Sequence, residues 1–318
     1  MHPGEAQRKL ETLETLVTRE TAALAPHPTT HWVNRFRAMP GVAAVLFYGS
    51  GLRDQAHDPD VVYDFYLLVH RYRDYAPGWF LAAGGSLVPP NVYYFEETVG
   101  SNRQRCKVAV LTVSQFCLHA DDKALTPHIW ARFCQPCRIL FTESVELRTT
   151  LNEALVNCVV AFHRQTLHQV DSCSIGDFWS TGLRSTYADE IRSEKRTRGR
   201  SIYTANVEAC RARTRLALLR LPEIGRLDDL GIVSSKIPPD RRNAYRRRLR
   251  LMRPVKKAVV VLRLLKAGFS FRGGLDYARW KVERHSGIRV EINDFQRRHP
   301  VLGGIVLFLK AVRLGTLR

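Results

Sequence analysis

The feature that most constrains the fold is a run of seven apolar residues, Val42–Tyr48, that stops at the triplet Gly49-Ser50-Gly51. A short apolar run closed by a glycine-rich triplet is typical of a buried strand that ends in a tight turn. A second run, rich in β-formers, follows at 61–69 after a polar loop. Two neighbouring strands so early in the chain predict an N-terminal unit built on a sheet.

Further segments extend this unit. Three more runs with strand composition lie at 92–96, 106–113 and 138–141. Helical patterns lie at 5–24 and 114–133. Strands mixed with helices predict an α/β fold with a mixed sheet.

From residue 145 onward the pattern becomes helical. Helices are predicted at 145–170, 174–191, 203–220 and 240–267. We therefore expect an α/β domain over 1–144, an α-helical domain over 145–237 and a basic amphipathic region over 238–318.

The positive charge is confined to the second part of the chain. The whole sequence carries a net charge of +19, but residues 1–183 hold 16 Lys and Arg against 18 Asp and Glu. Residues 184–318 hold 33 against 12, a net charge of +21. A basic part beside a near-neutral part predicts a surface for a polyanion, either nucleic acid or an anionic bilayer.

The turn after the first strand has the residue types that nucleotidyl transfer needs. Gly49 lets the backbone approach phosphates closely, and Ser50 supplies a hydroxyl donor. Asp64, on the next strand, can place Mg²⁺, which offsets charge on the attacking and leaving oxygens. The alternative is an ordinary glycine-rich turn with Asp64 as a solvating group at the sheet edge.

Several stretches around this turn resemble one known family. The sequence is similar to the mitochondrial translocator-maintenance phosphatidate cytidylyltransferases and their bacterial relatives, which belong to the nucleotidyltransferase superfamily. The stretches that carry the resemblance are Phe47–Gly51, Asp64–Val69, Asn91–Phe95, Arg105–Val110, Trp130–Leu140 and, more loosely, Tyr187–Arg192.

The resemblance implies a reaction and roles for particular residues. CTP and phosphatidic acid would give CDP-diacylglycerol and pyrophosphate, with Mg²⁺ as cofactor. The turn Gly49-Ser50-Gly51 would hold the CTP phosphates, Asp64 would bind the metal, and Lys107 would meet a phosphate as a catalytic cation.

A second metal carboxylate is less well defined. Many nucleotidyltransferases have a second Asp two residues after the first, but Tyr66 stands there in this chain. Glu190 and Arg192 stand where the resembled family has an acidic residue and an arginine, which favours Glu190 as a metal ligand and Arg192 as a phosphate contact. In the alternative, Glu190 and Arg192 form a solvated helical ion pair that contributes little. The carboxylates that the sequence leaves open are Asp60, Glu96, Glu97, Glu190 and Glu194.

The basic region contains an amphipathic segment at 254–268. At 100° per residue, Lys256, Lys257, Arg263 and Lys266 fall on one half of a helix and apolar residues on the other. Residues 301–318 repeat this pattern. An apolar face beside cations predicts an interfacial helix on an anionic membrane. The alternative is a helix that packs against a core.

These observations predict a cytoplasmic enzyme bound peripherally to the inner face of the membrane, because no apolar run reaches the roughly 20 residues that span a bilayer. No nucleic-acid partner is expected, since the aromatic residues of the basic region are scattered. Two alternatives stay open. One is a soluble nucleotidyltransferase acting on RNA or a small alcohol, and the other is a non-catalytic basic protein that binds nucleic acid.

Overall fold

The N-terminal unit is built on a five-stranded mixed sheet. The structure, a computed structural model, describes residues 11–25, 29–52, 62–75, 79–100, 102–187, 198–270 and 293–294. The strands are β1 (Val42–Tyr48), β2 (Val62–Val69), β3 (Asn91–Val99), β4 (Asn102–Thr112) and β5 (Arg138–Thr142). Their order is β3-β4-β2-β1-β5; β2 and β4 run parallel, and the other neighbouring pairs are antiparallel. The predicted α/β class with a mixed sheet is therefore confirmed.

Eleven helices accompany the strands in the described part of the chain. Those of the N-terminal unit are α1 (Leu13–Ala22), α2 (Thr29–Arg37), α3 (Tyr72–Tyr75), α4 (Trp79–Leu87), α5 (Val113–His119) and α6 (Trp130–Phe133). Those that follow are α7 (Val145–Leu167), α8 (Ile175–Tyr187), α9 (Arg198–Thr204), α10 (Val207–Leu219) and α11 (Pro239–Ser270).

The two faces of the sheet are covered by different helices because side chains alternate along a strand. On one face, Phe36 of α2 packs edge-on against Phe65 of β2 at 5.3 Å between ring centroids. On the other face, Phe133 of α6 contacts Tyr66 at 5.1 Å and Tyr48 at 5.4 Å. Asp64 shares this second face with Tyr48 and Tyr66, so we call it the Asp64 face.

The second unit contains a small sheet as well as the expected helices. Strands β6 (Ser172–Ser174), β7 (Gly225–Leu227) and β8 (Ile232–Ser235) form an antiparallel sheet in the order β6-β8-β7. Strands of three or four residues are too short to show alternation, which is why the sequence predicted helices alone.

A buried ion pair joins the two units. Arg213 of α10, with a side chain only 3% exposed, donates through Nη1 to Oε1 of Glu20 on α1 at 2.6 Å and through Nη2 to Oε2. This two-pronged geometry satisfies both carboxylate oxygens, as buried arginine pairs require.

Replacing Arg213 by Met is expected to lower the free energy of unfolding by about 3 kcal/mol, because Glu20 is left partly buried without its partner. Urea denaturation measures this change in the free energy of unfolding. The matched control is Arg215→Met on the same helix, whose exposed side chain lies 3.9 Å from Glu11 and should change stability by less than about 0.5 kcal/mol. Equal effects of the two variants would show that the Arg213 pair does not hold the units together.

The contacts of helix α11 contradict the prediction that Arg263 and Lys266 face an anionic membrane. Arg263 and Lys266 do not line an outer polar surface: Arg263 donates to Thr126 Oγ1 at 2.9 Å, and Lys266 Nζ donates to the Pro90 carbonyl at 2.7 Å. The Gly84 and Val88 carbonyls also accept from Lys266. The prediction was wrong for these two cations because periodicity defines the two faces of a helix but not which face meets the protein.

The outward side of α11 is instead largely apolar. Leu251 is 72% exposed and Leu262 is 51% exposed, with Val255 and Val261 also exposed. The complete stripe, called the docking face below, is Leu251, Pro254, Val255, Ala258, Val261 and Leu262.

Residues 301–318, the second predicted amphipathic segment, lie outside the described residues. Within the part of the chain that is described, no helix has both the length and the apolar character to cross a bilayer.

Candidate active site

The turn after β1 brings the Asp64 carboxylate onto a glycine backbone. Tyr48 and Asp64 are directly paired in the antiparallel ladder of β1 and β2. Gly49 follows with φ of 86°, a left-handed conformation that favours glycine. A Cβ atom added at Gly49 would lie 3.0 Å from Asp64 Oδ2. The structure therefore brings together the two residues that the sequence predicted to share a site.

Ser50 and Gly51 continue the turn in different environments. Ser50 begins a single 3₁₀ turn, Ser50–Leu52, closed by the Leu52 amide donating to the Gly49 carbonyl at 3.3 Å, and its side chain is exposed. Gly51 is buried, and a Cβ there would meet the rings of Phe47 at 2.9 Å and Tyr63 at 3.0 Å. Gly51 thus lets the turn pack closely against the sheet, and only its backbone can serve as the predicted phosphate contact.

Gly49→Ala is expected to lower kcat/KM at least about tenfold, because the new methyl group pushes on the carboxylate that is predicted to hold the metal. The positive φ should also cost about 1–2 kcal/mol of stability. Gly231→Ala is the matched control: its φ is 76°, but nothing lies within 4 Å of the added Cβ. Equal activity of the two variants in the same assay would contradict a functional contact between Gly49 and Asp64.

Lys107 lies beside Asp64 on the neighbouring strand. The two residues are register partners in the parallel pair β2 and β4, so they share a face, and both are half-buried. Neighbouring strands are about 4.8 Å apart, which gives this part of the Asp64 face both a carboxylate and an ammonium group.

The other candidate carboxylates of the described chain have different partners. Glu96 accepts from Arg103 Nε at 2.6 Å and from the Tyr94 hydroxyl at 2.9 Å, and it also pairs with Arg105. It stands two strands and two residues from Asp64, about 12 Å between Cα atoms by sheet geometry. Glu97 pairs with Arg35 and with His31 at 2.7 Å, on the opposite face of the sheet. In the structure both carboxylates are therefore paired with arginine side chains.

The described residues do not include the remaining candidate metal carboxylates, Asp60, Glu190 and Glu194, or the predicted phosphate contact Arg192. In the described ranges, no group of three or more His, Cys, Asp or Glu is arranged to hold a metal ion. Magnesium at nucleotide sites is commonly held by one or two carboxylates together with substrate phosphates and water. Asp64 beside a turn with a positive-φ glycine and an exposed serine fits that mode of binding.

The Asp64 face also carries a cation that sequence reasoning did not place there. Arg263 of α11 lies near Tyr66, two residues along β2 from Asp64, and reaches His128 Nδ1 at 3.2 Å. No local pattern signals this contact, because Arg263 and His128 are 135 residues apart in the chain. Burial lowers the pKa of the Arg263 guanidinium to about 10, and burial also lowers the pKa of Lys266 to about 8.

The chain matches no protein-family model, and no curated protein matches it. A functional interpretation therefore depends on the geometry described above and on the residues that carry the resemblance.

Proposed function

We propose that the chain is a phosphatidate cytidylyltransferase, which makes CDP-diacylglycerol and pyrophosphate from CTP and phosphatidic acid with Mg²⁺. The observation that carries the proposal is the Asp64 carboxylate standing over the positive-φ Gly49 of a strand-ending turn, with Lys107 beside it. A turn, a carboxylate and a cation are what nucleotidyl transfer requires of a protein.

The reaction is a displacement at phosphorus. A phosphate oxygen of phosphatidic acid attacks the α-phosphorus of CTP and forms a new P–O bond. The bond from the α-phosphorus to the oxygen that bridges it to the β-phosphorus breaks, and pyrophosphate leaves with that electron pair. A magnesium ion bound there would offset the negative charge of the phosphates.

The protein residues would position the reactants and neutralise charge. The backbone of Gly49 and the hydroxyl of Ser50 would bind the CTP phosphates, and Asp64 would hold the metal. Lys107 would stabilise the charge that develops on the phosphate oxygens. Positioning of the reactants and stabilisation of this charge account for most of the catalysis in phosphoryl transfer.

A lipid substrate requires the enzyme to reach a bilayer surface, and α11 offers a surface suited to this. The docking face is exposed and apolar, and it is flanked by exposed cations. These are Arg247, Arg250, Arg253 and Lys257. An apolar stripe flanked by cations is the pattern of helices that lie at the interface of anionic membranes.

Nucleic acid is the second candidate partner, because the order of elements from α7 to β8 is that of a winged helix-turn-helix with α9 added. In such domains the second helix of the motif reads DNA through exposed side chains. Here Arg213 and Arg215 of α10, and Arg220 directly after it, face acidic residues in or just before α1 instead. Their partners are Glu20, Glu11 and Glu14, respectively. These ion pairs favour the lipid over the nucleic-acid proposal.

Pyrophosphate release tests the proposal. The protein is incubated with Mg²⁺ and each of the four NTPs, with phosphatidic acid micelles, an RNA 3′ end or glycerol as acceptor. The proposal predicts release with CTP and phosphatidic acid. Release only with RNA or only with the alcohol would support a soluble nucleotidyltransferase, and RNA binding without any release would support the non-catalytic alternative.

A further inference from the structure

A group of nitrogen-bearing side chains, one buried and three half-buried, lies where α11 crosses the Asp64 face. Arg263 Nη2 donates to Thr126 Oγ1 at 2.9 Å and lies 3.2 Å from His128 Nδ1. The His128 ring is 4.7 Å from the ring of His119, centroid to centroid. Arg132 lies alongside, with Nη1 donating to the His128 carbonyl at 2.6 Å. We call Arg263, Arg132, His119 and His128 the cationic cluster.

Three nitrogens of this cluster are buried without a hydrogen-bond partner in the described structure: His128 Nε2, His119 Nδ1 and Arg263 Nε. His128 is more than nine-tenths buried. Because its Nδ1 accepts a hydrogen bond from Arg263 or Thr126, a neutral ring carries its proton on Nε2, which is then a donor without an acceptor. A buried donor of this kind is unfavourable unless something accepts a hydrogen bond from it.

The surroundings of Arg263, the central cation of the cluster, also contain other nitrogen-bearing groups. Among the residues that the structure describes, the titratable groups recorded around Arg263 are Tyr66, Arg132, His119, His128 and Lys266, and none of these is a carboxylate. Burial lowers the pKa of His128 and of His119, and the neighbouring Arg263 cation lowers both further. The histidines are therefore neutral donors beside fixed guanidinium charges, which is a setting that favours an anion.

The cluster lies on the same face as the candidate active site. Tyr66, the neighbour of Arg263, follows Asp64 by two residues along β2, which is about 7 Å. The rings of Tyr48 and Phe133 pack against Tyr66, at 5.2 Å and 5.1 Å. An anion bound at the cluster would thus lie within reach of a substrate held at Asp64.

We propose that the cationic cluster is a binding site for a substrate phosphate group, with Arg263 and His128 as its principal donors. The proposal depends on the proposed function for the identity of the anion, which is either the phosphate tail of CTP or the headgroup phosphate of phosphatidic acid. In both cases α11 joins the phosphate site on its inner side to the docking face on its outer side.

Titration calorimetry with inorganic pyrophosphate, CTP and dihexanoyl phosphatidic acid, each without turnover, tests the site directly. Arg263→Met is expected to weaken the binding of at least one of these anions by at least about tenfold, because a charge-assisted hydrogen bond is lost. Arg263→Lys should restore part of the affinity, and His128→Asn should weaken the same anion. The matched control is Arg248→Met, an exposed cation of the same helix, which should stay within about twofold of the unaltered protein.

The pattern of losses identifies the anion. Weaker pyrophosphate and CTP binding places the nucleotide tail at the cluster, and weaker dihexanoyl phosphatidic acid binding places the headgroup there. Wild-type affinity of a folded Arg263→Met protein for all three anions overturns the proposal. If Arg263→Met does not fold, wild-type affinity in both Arg263→Lys and His128→Asn overturns it. Formation of CDP-diacylglycerol by the unaltered protein is measured separately. If the Arg263→Met protein binds an anion more weakly but the unaltered protein forms no lipid product, the phosphate site is supported and the proposed function is rejected.

Discussion

Asp64→Asn is expected to lower kcat by about a thousandfold or more while leaving the fold intact. The substitution removes the charge that we propose binds the metal, at a half-buried position, and changes the side-chain volume very little. Metal ions supply several kcal/mol of transition-state stabilisation, and each 1.36 kcal/mol corresponds to a factor of about ten in rate. Steady-state formation of CDP-diacylglycerol, with circular dichroism as the test of folding, measures the effect.

Two further variants make this result specific. Ser50→Ala should be milder than Asp64→Asn, because the exposed hydroxyl is one donor among several backbone amides. Asp229→Asn, an exposed aspartate near the turn between β7 and β8, should leave kcat unchanged. A near-wild-type kcat of the Asp64→Asn protein would show that the metal site does not lie at the turn after β1.

Neutralising the cations that flank the docking face should nearly abolish binding to anionic liposomes. Each basic residue near such a surface contributes about 1 kcal/mol, so changing Arg247, Arg250, Arg253 and Lys257 together to Gln should weaken binding by roughly a thousandfold. The apparent KM for phosphatidic acid in bilayers should rise with it. Turnover of dihexanoyl phosphatidic acid should survive, because a dispersed substrate requires no docking. Liposome co-sedimentation measures the binding.

A control with the same change in net charge separates docking from general electrostatics. Arg71, Arg73, Arg184 and Arg226 are exposed elsewhere on the protein, and their replacement by Gln should weaken liposome binding far less. Wild-type binding should also fall as salt rises, since exposed charges are screened over about 8 Å at physiological ionic strength. Equal losses in the two variants would show that α11 is not the docking helix. Arg263 and Lys266 are left unchanged in this test because both contact the body of the protein.

The core strands could be predicted from sequence because their signal is local and strong. Val42–Tyr48 is apolar throughout, and the observed β1 has those bounds. Helix α2, Thr29–Arg37, was not predicted, since its buried residues are only Thr29, Trp32 and Phe36 within nine. Helix α4 was not predicted either, because it contains Gly84 and Gly85, and glycines ordinarily indicate a loop.

The candidate site likewise has a part that the sequence predicts and a part that it does not. Gly49 and Asp64 lie at facing ends of sequence-adjacent strands, so their contact follows once β1 and β2 are paired. The contact of Arg263 with Thr126 and His128 depends on how α11 returns to the sheet after the whole second unit. That path is set by packing between distant segments, which periodicity within α11 does not encode.

Transfer of label from CTP tests the central claim most directly. The protein is given Mg²⁺, phosphatidic acid and CTP labelled at either the α- or the γ-phosphate, and the lipid phase is extracted. The proposed displacement predicts that α-label enters the lipid phase as CDP-diacylglycerol while γ-label leaves entirely as pyrophosphate. Absence of α-label from the lipid, with the label found instead on added RNA or remaining in CTP, would contradict a phosphatidate cytidylyltransferase.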